Sequence, residues 1–178
     1  MATNGMVSRV ALGGLCALGV TLAWCPQGRA ESSPVGMTLS EADRVAVFKA
    51  AGYTLKGKEW RACDTGDSGA PYTPGVIETV RDLNGDGRPD AVVTEGGTYC
   101  YGNTGTAFQL LSKQANGSWR LMTSNTGMPE FLKTRGIGGW PDISVGGPGF
   151  CFPVQRWNGK EYKLNRFEYA GKRCKPPR

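Results

Sequence analysis

The stretch VIETVRDLNGDGRPDAVVTE, residues 76–95, places two apolar segments on either side of an oxygen-rich turn. The segments VIETVRD and AVVTE are rich in β-branched residues, which favour strands. Between them, oxygen-bearing side chains recur at every second position before the chain turns on glycine. Crowded carboxylates repel one another unless a cation neutralises them. The stretch therefore predicts two strands joined by a cation-binding turn.

Counted from Asp82, the oxygen-bearing residues follow the spacing of the first part of an EF-hand calcium loop. Gly87 falls at position six, where such a loop bends sharply. Position twelve is Val93, so the bidentate Glu of the full pattern is missing, and water or a remote ligand would complete the shell. The predicted Ca²⁺ ligands are the side chains of Asp82, Asn84, Asp86 and Asp90 and the carbonyl of Arg88.

This loop resembles the calcium loops of FG-GAP and VCBS-type repeats, in which DxNxDGxxD connects two β-strands, and the first part of a dockerin loop. The resemblance implies a bound Ca²⁺ at those five positions. We expect the ion to be structural, because it would join the flanking strands and neutralise the carboxylates. A turn without metal is the alternative, since Asp, Asn and Gly favour turns by themselves.

The strand after this loop has an internal echo. PDAVVTEGGTYCY (residues 89–101) resembles PDISVGGPGFCF (residues 141–152), and each copy is followed by two strand-like segments joined at Asn-Gly, a strong hairpin signal. Two copies are too few for a closed propeller. We therefore predict a mainly β fold: a small antiparallel domain of two related strand–hairpin units, propeller- or sandwich-like. Chance similarity between glycine-rich β sequences is the alternative.

A single helix precedes the strands. Ser40 is a favourable N-cap, Asp43 lies in the first turn, and Gly52 is a suitable stop, which together predict a helix over residues 41–51. We expect residues 31–39 to be a flexible lead-in and residues 40–178 to form a single domain.

The first 30 residues have the layout of a secretory signal peptide, with a short segment carrying one Arg, the apolar run VALGGLCALGVTLAW, and a small residue at Ala30. The run is too short for a comfortable membrane span. Cys16 and Cys25 raise a lipoprotein as the alternative, but lipid attachment generally requires a small residue before the cysteine, and Leu15 and Trp24 stand there. We therefore predict a soluble protein exported to the periplasm.

The composition argues against several function classes. Loss of Arg9 and Arg29 with the leader lowers the net charge from +6 to +4, and no long basic run exists, which disfavours nucleic-acid binding. The chain has no His and no CxxC pair, so the usual zinc ligands and imidazole bases are missing. An enzyme would depend on Asp64 with Asp67, or on Ser68 with a Lys, and neither set has supporting spacing. We predict that the protein is not an enzyme.

Four cysteines remain beyond the predicted leader: Cys63, Cys100, Cys151 and Cys174. An even number in an exported chain predicts two disulfides, for which three pairings exist. The echo favours Cys100 with Cys151, on neighbouring strands of the two units, which leaves Cys63 for Cys174.

A second motif, SGAPY (residues 68–72), lies in the turn-rich loop after Cys63. Its form, Ser-Gly-x-x-Tyr, resembles the inhibitory loop of bacterial lysozyme inhibitors, which enters the hydrolase cleft. The resemblance implies that Ser68, Gly69 and Tyr72 contact the partner: small polar groups meet the two catalytic acids, and the tyrosine fills a sugar subsite. A surface turn without a partner is the alternative.

Taken together, the export signal, the helix before the sheet, DLNGDGRPDAVVTEGG and GGPGFCFPVQRWNGKEY resemble periplasmic calcium-binding immunity proteins that protect bacteria from peptidoglycan-hydrolase effectors. The resemblance covers most of residues 40–178. It implies an exported inhibitor that blocks a lysozyme-type peptidoglycan hydrolase, whether an effector or a host lysozyme. The FG-GAP and VCBS likeness alone implies the alternative, a calcium-stabilised adhesion or carbohydrate-binding module. The mild positive charge fits a neutral or acidic hydrolase better than a cationic one, because like charges slow encounter.

Two aromatic pairs flank the echoed cysteines, Tyr99 with Tyr101 and Phe150 with Phe152. At i, i+2 spacing in a strand, each pair would share one face, with its cysteine on the other. Together with Trp60 and Trp157, these residues either form a binding face or fill the core of a small β domain, and burial tendencies favour the core.

Overall fold

Antiparallel strands make up most of the structure, a computed structural model that describes residues 37–66 and 68–176. The strands are β1 (Thr54–Lys56), β2 (Glu59–Arg61), β3 (Thr73–Arg81), β4 (Asp90–Gly96), β5 (Thr106–Lys113), β6 (Trp119–Thr126), β7 (Met128–Arg135), β8 (Pro141–Gly146), β9 (Phe152–Trp157), β10 (Tyr162–Tyr169) and β11 (Lys172–Arg173). The helices are α1 (Glu41–Ala50) and α2 (Thr98–Tyr101), with single 3-10 turns at Gly102–Thr104 and Ile137–Gly139. The predicted leader, residues 1–30, lies outside the described residues, as does the lead-in as far as residue 36. In the described part of the chain, no helix has both the length and the apolar character needed to cross a bilayer.

The strands form three antiparallel sheets, which confirms the predicted mainly β fold. A small sheet joins β1 to β2, a four-stranded sheet has the order β3-β4-β5-β6, and a five-stranded sheet has the order β11-β10-β9-β8-β7. The two larger sheets are meanders in which chain neighbours pair. Each contains one copy of the echo, because β4 and the β5–β6 hairpin lie in one, and β8 and the β9–β10 hairpin lie in the other.

Both predicted hairpins turn at their Asn-Gly dipeptides. Gly117 between β5 and β6 has φ +83°, and Gly159 between β9 and β10 has φ +94°, angles that glycine adopts without a side-chain clash. The preceding Asn116 and Asn158 each accept a hydrogen bond from the backbone amide two residues later, at 3.0 and 2.9 Å. The two hairpins are therefore confirmed.

The predicted helix is confirmed as α1. The hydroxyl of Ser40 accepts a hydrogen bond from the Asp43 amide at 3.1 Å, which satisfies one of the free donors at the helix start. Val47 and Phe48 are buried in a cluster with residues of the four-stranded sheet. The helix thus covers one face of that sheet.

Residues of β4 are buried on both faces of the four-stranded sheet. Ala91 and Val93 belong to the core beneath α1, whereas Val92 belongs to a core shared with the five-stranded sheet. A strand covered on both sides needs apolar residues at successive positions, which explains the uninterrupted Ala-Val-Val of this echo copy. The shared core contains Leu83, Val92, Phe108, Leu110, Met122, Trp140, Ile143, Val145, Trp157 and Tyr162.

The disulfides link Cys63 to Cys100 and Cys151 to Cys174. The predicted pairing of Cys100 with Cys151 is therefore wrong. Each bridge stays within one unit because the loop after each echoed strand folds back onto its own unit. Cys100 meets the segment that leads into β3, and Cys151 meets the chain that leaves β11.

The predicted strand geometry of the aromatic pairs is also wrong. Tyr99 and Tyr101 lie on helix α2, where Tyr99 is 63% exposed and the Tyr101 hydroxyl donates to the buried Glu95. Phe150 lies in the bend before β9 and is 68% exposed. The intervening Cys151 has φ +72°, so the alternation of an extended strand is broken there. None of the four rings belongs to either core cluster, so the core prediction is wrong for these two pairs. Of the two tryptophans, Trp157 lies in the shared core and Trp60 packs against the core beneath α1.

Candidate functional site

The predicted calcium loop connects β3 to β4, as expected, and Asp82 organises its first turn. One Asp82 oxygen, Oδ1, accepts hydrogen bonds from the amides of Gly85 at 2.7 Å and Asp86 at 3.1 Å. The other, Oδ2, accepts from the Gly87 amide at 2.7 Å. Gly85 and Gly87 have φ near +80°, which turns their amides towards the carboxylate. Asp82 thus acts as the anchor of the loop's backbone.

Asn84 and Asp86 are directed to neighbouring groups of the same loop. The Asn84 Oδ1 accepts from the Asp86 amide at 3.1 Å, and its Nδ2 donates to Asp86 Oδ2 at 3.0 Å. Asp86 also accepts from Arg88 twice, from the backbone amide at 2.9 Å and from Nη2 at 2.5 Å. The Arg88 guanidinium therefore supplies the positive charge beside Asp86.

Asp90, the last predicted ligand, is almost completely buried at the start of β4. Its Oδ2 accepts from the Leu83 amide at 2.8 Å, whereas its buried Oδ1 has no hydrogen-bond partner among the described residues. Burial raises the pKa of the Asp90 carboxyl to about 6, the Leu83 amide and the hydroxyl of Ser112, its neighbour on β5, oppose that rise, and the charges of Asp86 and Asp82 add to it. A buried carboxylate oxygen without a donor is costly, so this site favours an additional positive partner.

The oxygen atoms of this loop are the type of ligand that a hard cation such as Ca²⁺ prefers, since carboxylate and amide oxygens follow one another around a tight turn. One of them, the buried Oδ1 of Asp90, has no hydrogen-bond partner among the described residues. The carboxylates do not, however, converge on a common point. Within the described residues, no group of three or more His, Cys, Asp or Glu side chains is placed to hold a metal ion. Asp82 faces the loop's own amides and Asp86 faces Arg88, so these bonds would have to exchange for a cation to enter the loop.

The second unit supports this loop from outside. Arg135 Nη1 donates to the Leu83 carbonyl at 2.8 Å and also contacts the Gly139 carbonyl. A side chain at Gly139 would collide with the Asn84 carbonyl, so the turn before β8 packs closely against the loop. The predicted calcium loop therefore contacts both larger sheets.

Asp142 occupies the position in the second unit that Asp90 occupies in the first, directly after the echoed proline. Its fully buried carboxylate accepts from Arg156 Nε and Nη2, each at 2.8 Å, and from Arg166 Nη1 and Thr134 Oγ1, each at 2.6 Å. Burial alone would raise the pKa of Asp142, but the hydrogen bonds from Arg156, Thr134 and Arg166 outweigh it and lower the pKa below its ordinary value. Two guanidinium groups thus supply the cation here.

The role of Asp142 was missed in the sequence, although the repeated Pro-Asp dipeptide marks it. The two arginines carry no comparable mark, because Arg156 and Arg166 lie on different strands of the hairpin that follows. Their convergence on Asp142 follows from the pairing of β8, β9 and β10.

The SGAPY loop lies between the small β1–β2 sheet and β3. Ser68 and Gly69 are exposed, and Gly69 has φ +63°. The Ser68 amide donates to the Thr65 carbonyl at 3.2 Å, and its hydroxyl accepts from the Ala70 amide at 3.3 Å. Tyr72 is half-buried, with its ring 4.5 Å beneath the Arg61 guanidinium. The structure therefore exposes two of the three predicted contact residues and turns the third inward.

Tyr72 turns inward because its hydroxyl donates to Glu95, a buried acid near the end of β4. Glu95 accepts four hydrogen bonds: from the amides of Ala62 at 2.8 Å and Cys63 at 3.3 Å, and from the hydroxyls of Tyr72 and Tyr101. Burial, reinforced by the bond to Glu95, raises the pKa of both tyrosines, so both hydroxyls remain protonated donors. Glu95 thus joins three separate segments at one carboxylate, which no local sequence pattern indicates.

Comparison with protein-family models, with curated proteins and with solved structures finds no match for this chain.

Proposed function

We propose that the protein is an exported inhibitor that blocks a lysozyme-type peptidoglycan hydrolase, and that the SGAPY loop enters the cleft of the enzyme. The observation that supports the proposal is that this loop has an exposed tip and an anchored base. Ser68 and Gly69 are exposed at its tip, while its base is attached to the buried Glu95 through Tyr72 and through the Cys63 amide. The tip is free to contact a partner and its base is fixed.

Such a loop suits an active site built from two carboxyl groups. A lysozyme-like cleft holds one acid and one carboxylate on either side of a sugar. A serine hydroxyl and the backbone amides of a glycine turn are small donors that pair with carboxylate oxygens. The disulfide between Cys63 and Cys100 lies at the base of the loop, and a loop held in its bound shape pays less ordering entropy on binding.

The same proposal includes a structural Ca²⁺ in the β3–β4 loop and residence in the periplasm. The unpartnered Oδ1 of Asp90 supports the ion, because a cation would satisfy it and neutralise the acids nearby. The two disulfides support an oxidising compartment. The ion would act as a brace on the scaffold and take no part in contact with the enzyme.

The test is inhibition by the purified protein of a panel of muramidases, glucosaminidases and amidases acting on peptidoglycan. We expect stoichiometric inhibition of at least one muramidase, with no turnover by the protein alone. Ser68→Asp should raise the inhibition constant at least tenfold, because a carboxylate at the loop tip would face the catalytic carboxylates of the enzyme.

Asn116→Asp is the matched control for this test. It adds the same charge at an exposed turn at the other end of β5 from the SGAPY side, and aspartate keeps the turn-stabilising oxygen. It should inhibit as the parent does. If the parent inhibits no enzyme of the panel, the proposed function is wrong.

A second candidate function rests on a different observation. Phe150 and Tyr169 are both more than half exposed, and their ring centroids lie 6.1 Å apart. Adjacent exposed rings also suit a sugar-binding surface, as in a calcium-stabilised carbohydrate-binding module. Sedimentation with purified peptidoglycan, in the absence of any enzyme, separates the two functions, since only the module should bind to it.

A further inference from the structure

We propose that the SGAPY loop is one of three adjoining loops that together form the hydrolase-binding surface. The three-loop surface is defined as residues 68–72, the segment 97–105 after β4, and the segment 147–151 after β8. The inference rests on the proposed function and adds the second and third loops to it, with Tyr99 and Phe150 as contact residues.

The three loops are neighbours in the structure. A Cβ on Gly97 would lie 3.1 Å from the Pro71 carbonyl oxygen and 3.4 Å from the Tyr72 ring, so the first two loops touch. A Cβ on Gly147 would lie 3.5 Å from Thr104 Oγ1, so the second and third also touch. A side chain at position 97 would crowd the Pro71 carbonyl, so glycine permits the close approach there, whereas the contact at Gly147 is of ordinary van der Waals length.

The arrangement follows from the repeat. β4 and β8 are the echoed strands, and the segments 97–105 and 147–151 directly follow their last residues, Gly96 and Gly146. The calcium loop precedes β4, at the opposite end of that strand. Thus the two units place their corresponding loops side by side, at the end of the molecule away from the calcium loop.

Each echoed loop exposes one large ring directly before its disulfide cysteine. Tyr99 is 63% exposed and precedes Cys100, and Phe150 is 68% exposed and precedes Cys151. Large aromatic side chains in a small domain are usually buried, and exposed apolar patches mark interaction sites. The same exposure at both echo positions indicates a shared role for the two rings.

The covalent structure holds both rings in place. The disulfides Cys63–Cys100 and Cys151–Cys174 adjoin Tyr99 and Phe150 respectively. On the other side of Cys100, Tyr101 is bound to the buried Glu95. Rings on loops fixed in this way lose little conformational entropy when a partner covers them, which is the property of a binding hot spot.

The charge around these loops identifies the kind of partner. Segments 97–105 and 147–151 contain no charged residue, and residues 169–176 contain three basic residues and no acidic one. An aromatic surface with a basic margin fits an acidic groove that normally receives a sugar chain, because rings replace the sugar and the second and third loops bring no charge towards the enzyme's acids. Beside the SGAPY loop, the exposed carboxylate of Asp64 is paired with Lys56 at 2.9 Å. The occupant is therefore the substrate cleft of an acidic peptidoglycan hydrolase.

The experiment measures inhibition of the most sensitive muramidase of the panel by Tyr99→Ala, by Phe150→Ala and by the double variant. Each single variant should raise the inhibition constant at least tenfold, and the double variant at least a hundredfold. Ile137→Ala is the matched control, because Ile137 is 62% exposed but lies in the turn that adjoins the calcium loop, and it should stay within twofold of the parent. Melting temperatures of all variants should match, since each side chain is mostly in solvent.

The outcomes separate this inference from the proposed function. A parent protein that inhibits while both ring variants inhibit equally well would overturn the three-loop surface and leave the SGAPY proposal standing. A parent that inhibits no hydrolase would overturn both. Binding of the parent to peptidoglycan itself, lost in the ring variants and without inhibition, would overturn both in favour of a carbohydrate-binding surface.

Discussion

Asp90 and Asp142 show how one sequence position can be neutralised in two ways. Both are buried and both follow the proline that opens an echo copy. Asp142 is surrounded by two guanidinium groups, whereas one oxygen of Asp90 has no partner among the described residues. Arginine side chains thus neutralise the buried carboxylate of the second copy, the role that we propose for Ca²⁺ in the first.

Asp142→Asn should lower the free energy of unfolding at pH 7 by about 3 kcal/mol, the lower end of the cost of breaking a buried ion pair. The lower end applies because Arg166 keeps a second partner, Glu168, at 2.7 Å. Urea denaturation monitored by tryptophan fluorescence measures the loss. Glu161→Gln is the control: its pair with Lys163 is more than half exposed on both sides, so less than about 1 kcal/mol should be lost.

The pH dependence gives the same prediction an independent readout. The folded chain holds the pKa of Asp142 below the ordinary value of 3.8, so the unfolded chain takes up the proton first as the pH falls. The stabilisation is therefore complete above the ordinary carboxyl range and declines as the pH drops below about 4. The difference in unfolding free energy between the parent and Asp142→Asn should become smaller as the pH falls from 5 to 3. A difference that stays constant would contradict the negative charge assigned to Asp142.

At the scale of elements, sequence reasoning succeeds where a local rule decides the structure. Ser40 fixes the start of α1 by a hydrogen bond three residues away, and Asn-Gly turns set both hairpins through a backbone angle. It fails where distant segments meet. Whether Cys100 faces Cys151 or Cys63 depends on the direction in which its loop folds back, which no spacing records.

Buried acids are the second class of feature that the sequence does not predict. Glu95 is one acid in a strand, and its partners come from three segments that the fold brings together. The predicted calcium ligands, by contrast, lie within nine residues, so their spacing can be recognised in the sequence. In the structure, their side chains are not arranged as a complete metal-coordination shell. A local ligand set can be proposed from its spacing and stays a prediction here, whereas the contacts of Glu95 leave no pattern in the sequence.

The predicted calcium loop gives the testable prediction at the scale of elements. With the affinity typical of extracellular modules, about 0.1 mM, 10 mM Ca²⁺ should stabilise the fold by about 2.7 kcal/mol, or roughly 5–10 °C in melting temperature. Differential scanning calorimetry in Ca²⁺ and in EDTA measures the shift, and isothermal titration measures the heat of binding. Mg²⁺ at the same concentration should have a much smaller effect, because it demands stricter octahedral geometry.

Two variants locate the ion. Asp82→Ala removes a predicted ligand together with the acceptor of three loop amides, so it lowers stability in both buffers, and the readout is the loss of the difference between them. Asp64→Asn, an exposed acid outside the loop, should keep the full calcium shift. If the parent shows neither a heat of Ca²⁺ binding nor a shift in melting temperature, the calcium assignment is wrong.

At the scale of the whole molecule, the two units share one core, and the first unit has a second core of its own beneath α1. The shared core draws Phe108 and Leu110 from one sheet and Ile143 and Trp157 from the other. Arg135 adds a polar connection by donating to the Leu83 carbonyl of the β3–β4 loop. Neither larger sheet can leave the other without exposing the core that both require.

The oxidised protein at constant calcium should therefore unfold in one transition, with coincident curves from tryptophan fluorescence and far-ultraviolet circular dichroism. Ile143→Ala, which opens a cavity at a fully buried position of the five-stranded sheet, should lower the unfolding free energy by about 2–5 kcal/mol. Because the core is shared, both curves should shift together by the same amount. Independent units would instead give a two-step curve in which only the step of the second unit moves, and that result would show that the repeats fold separately.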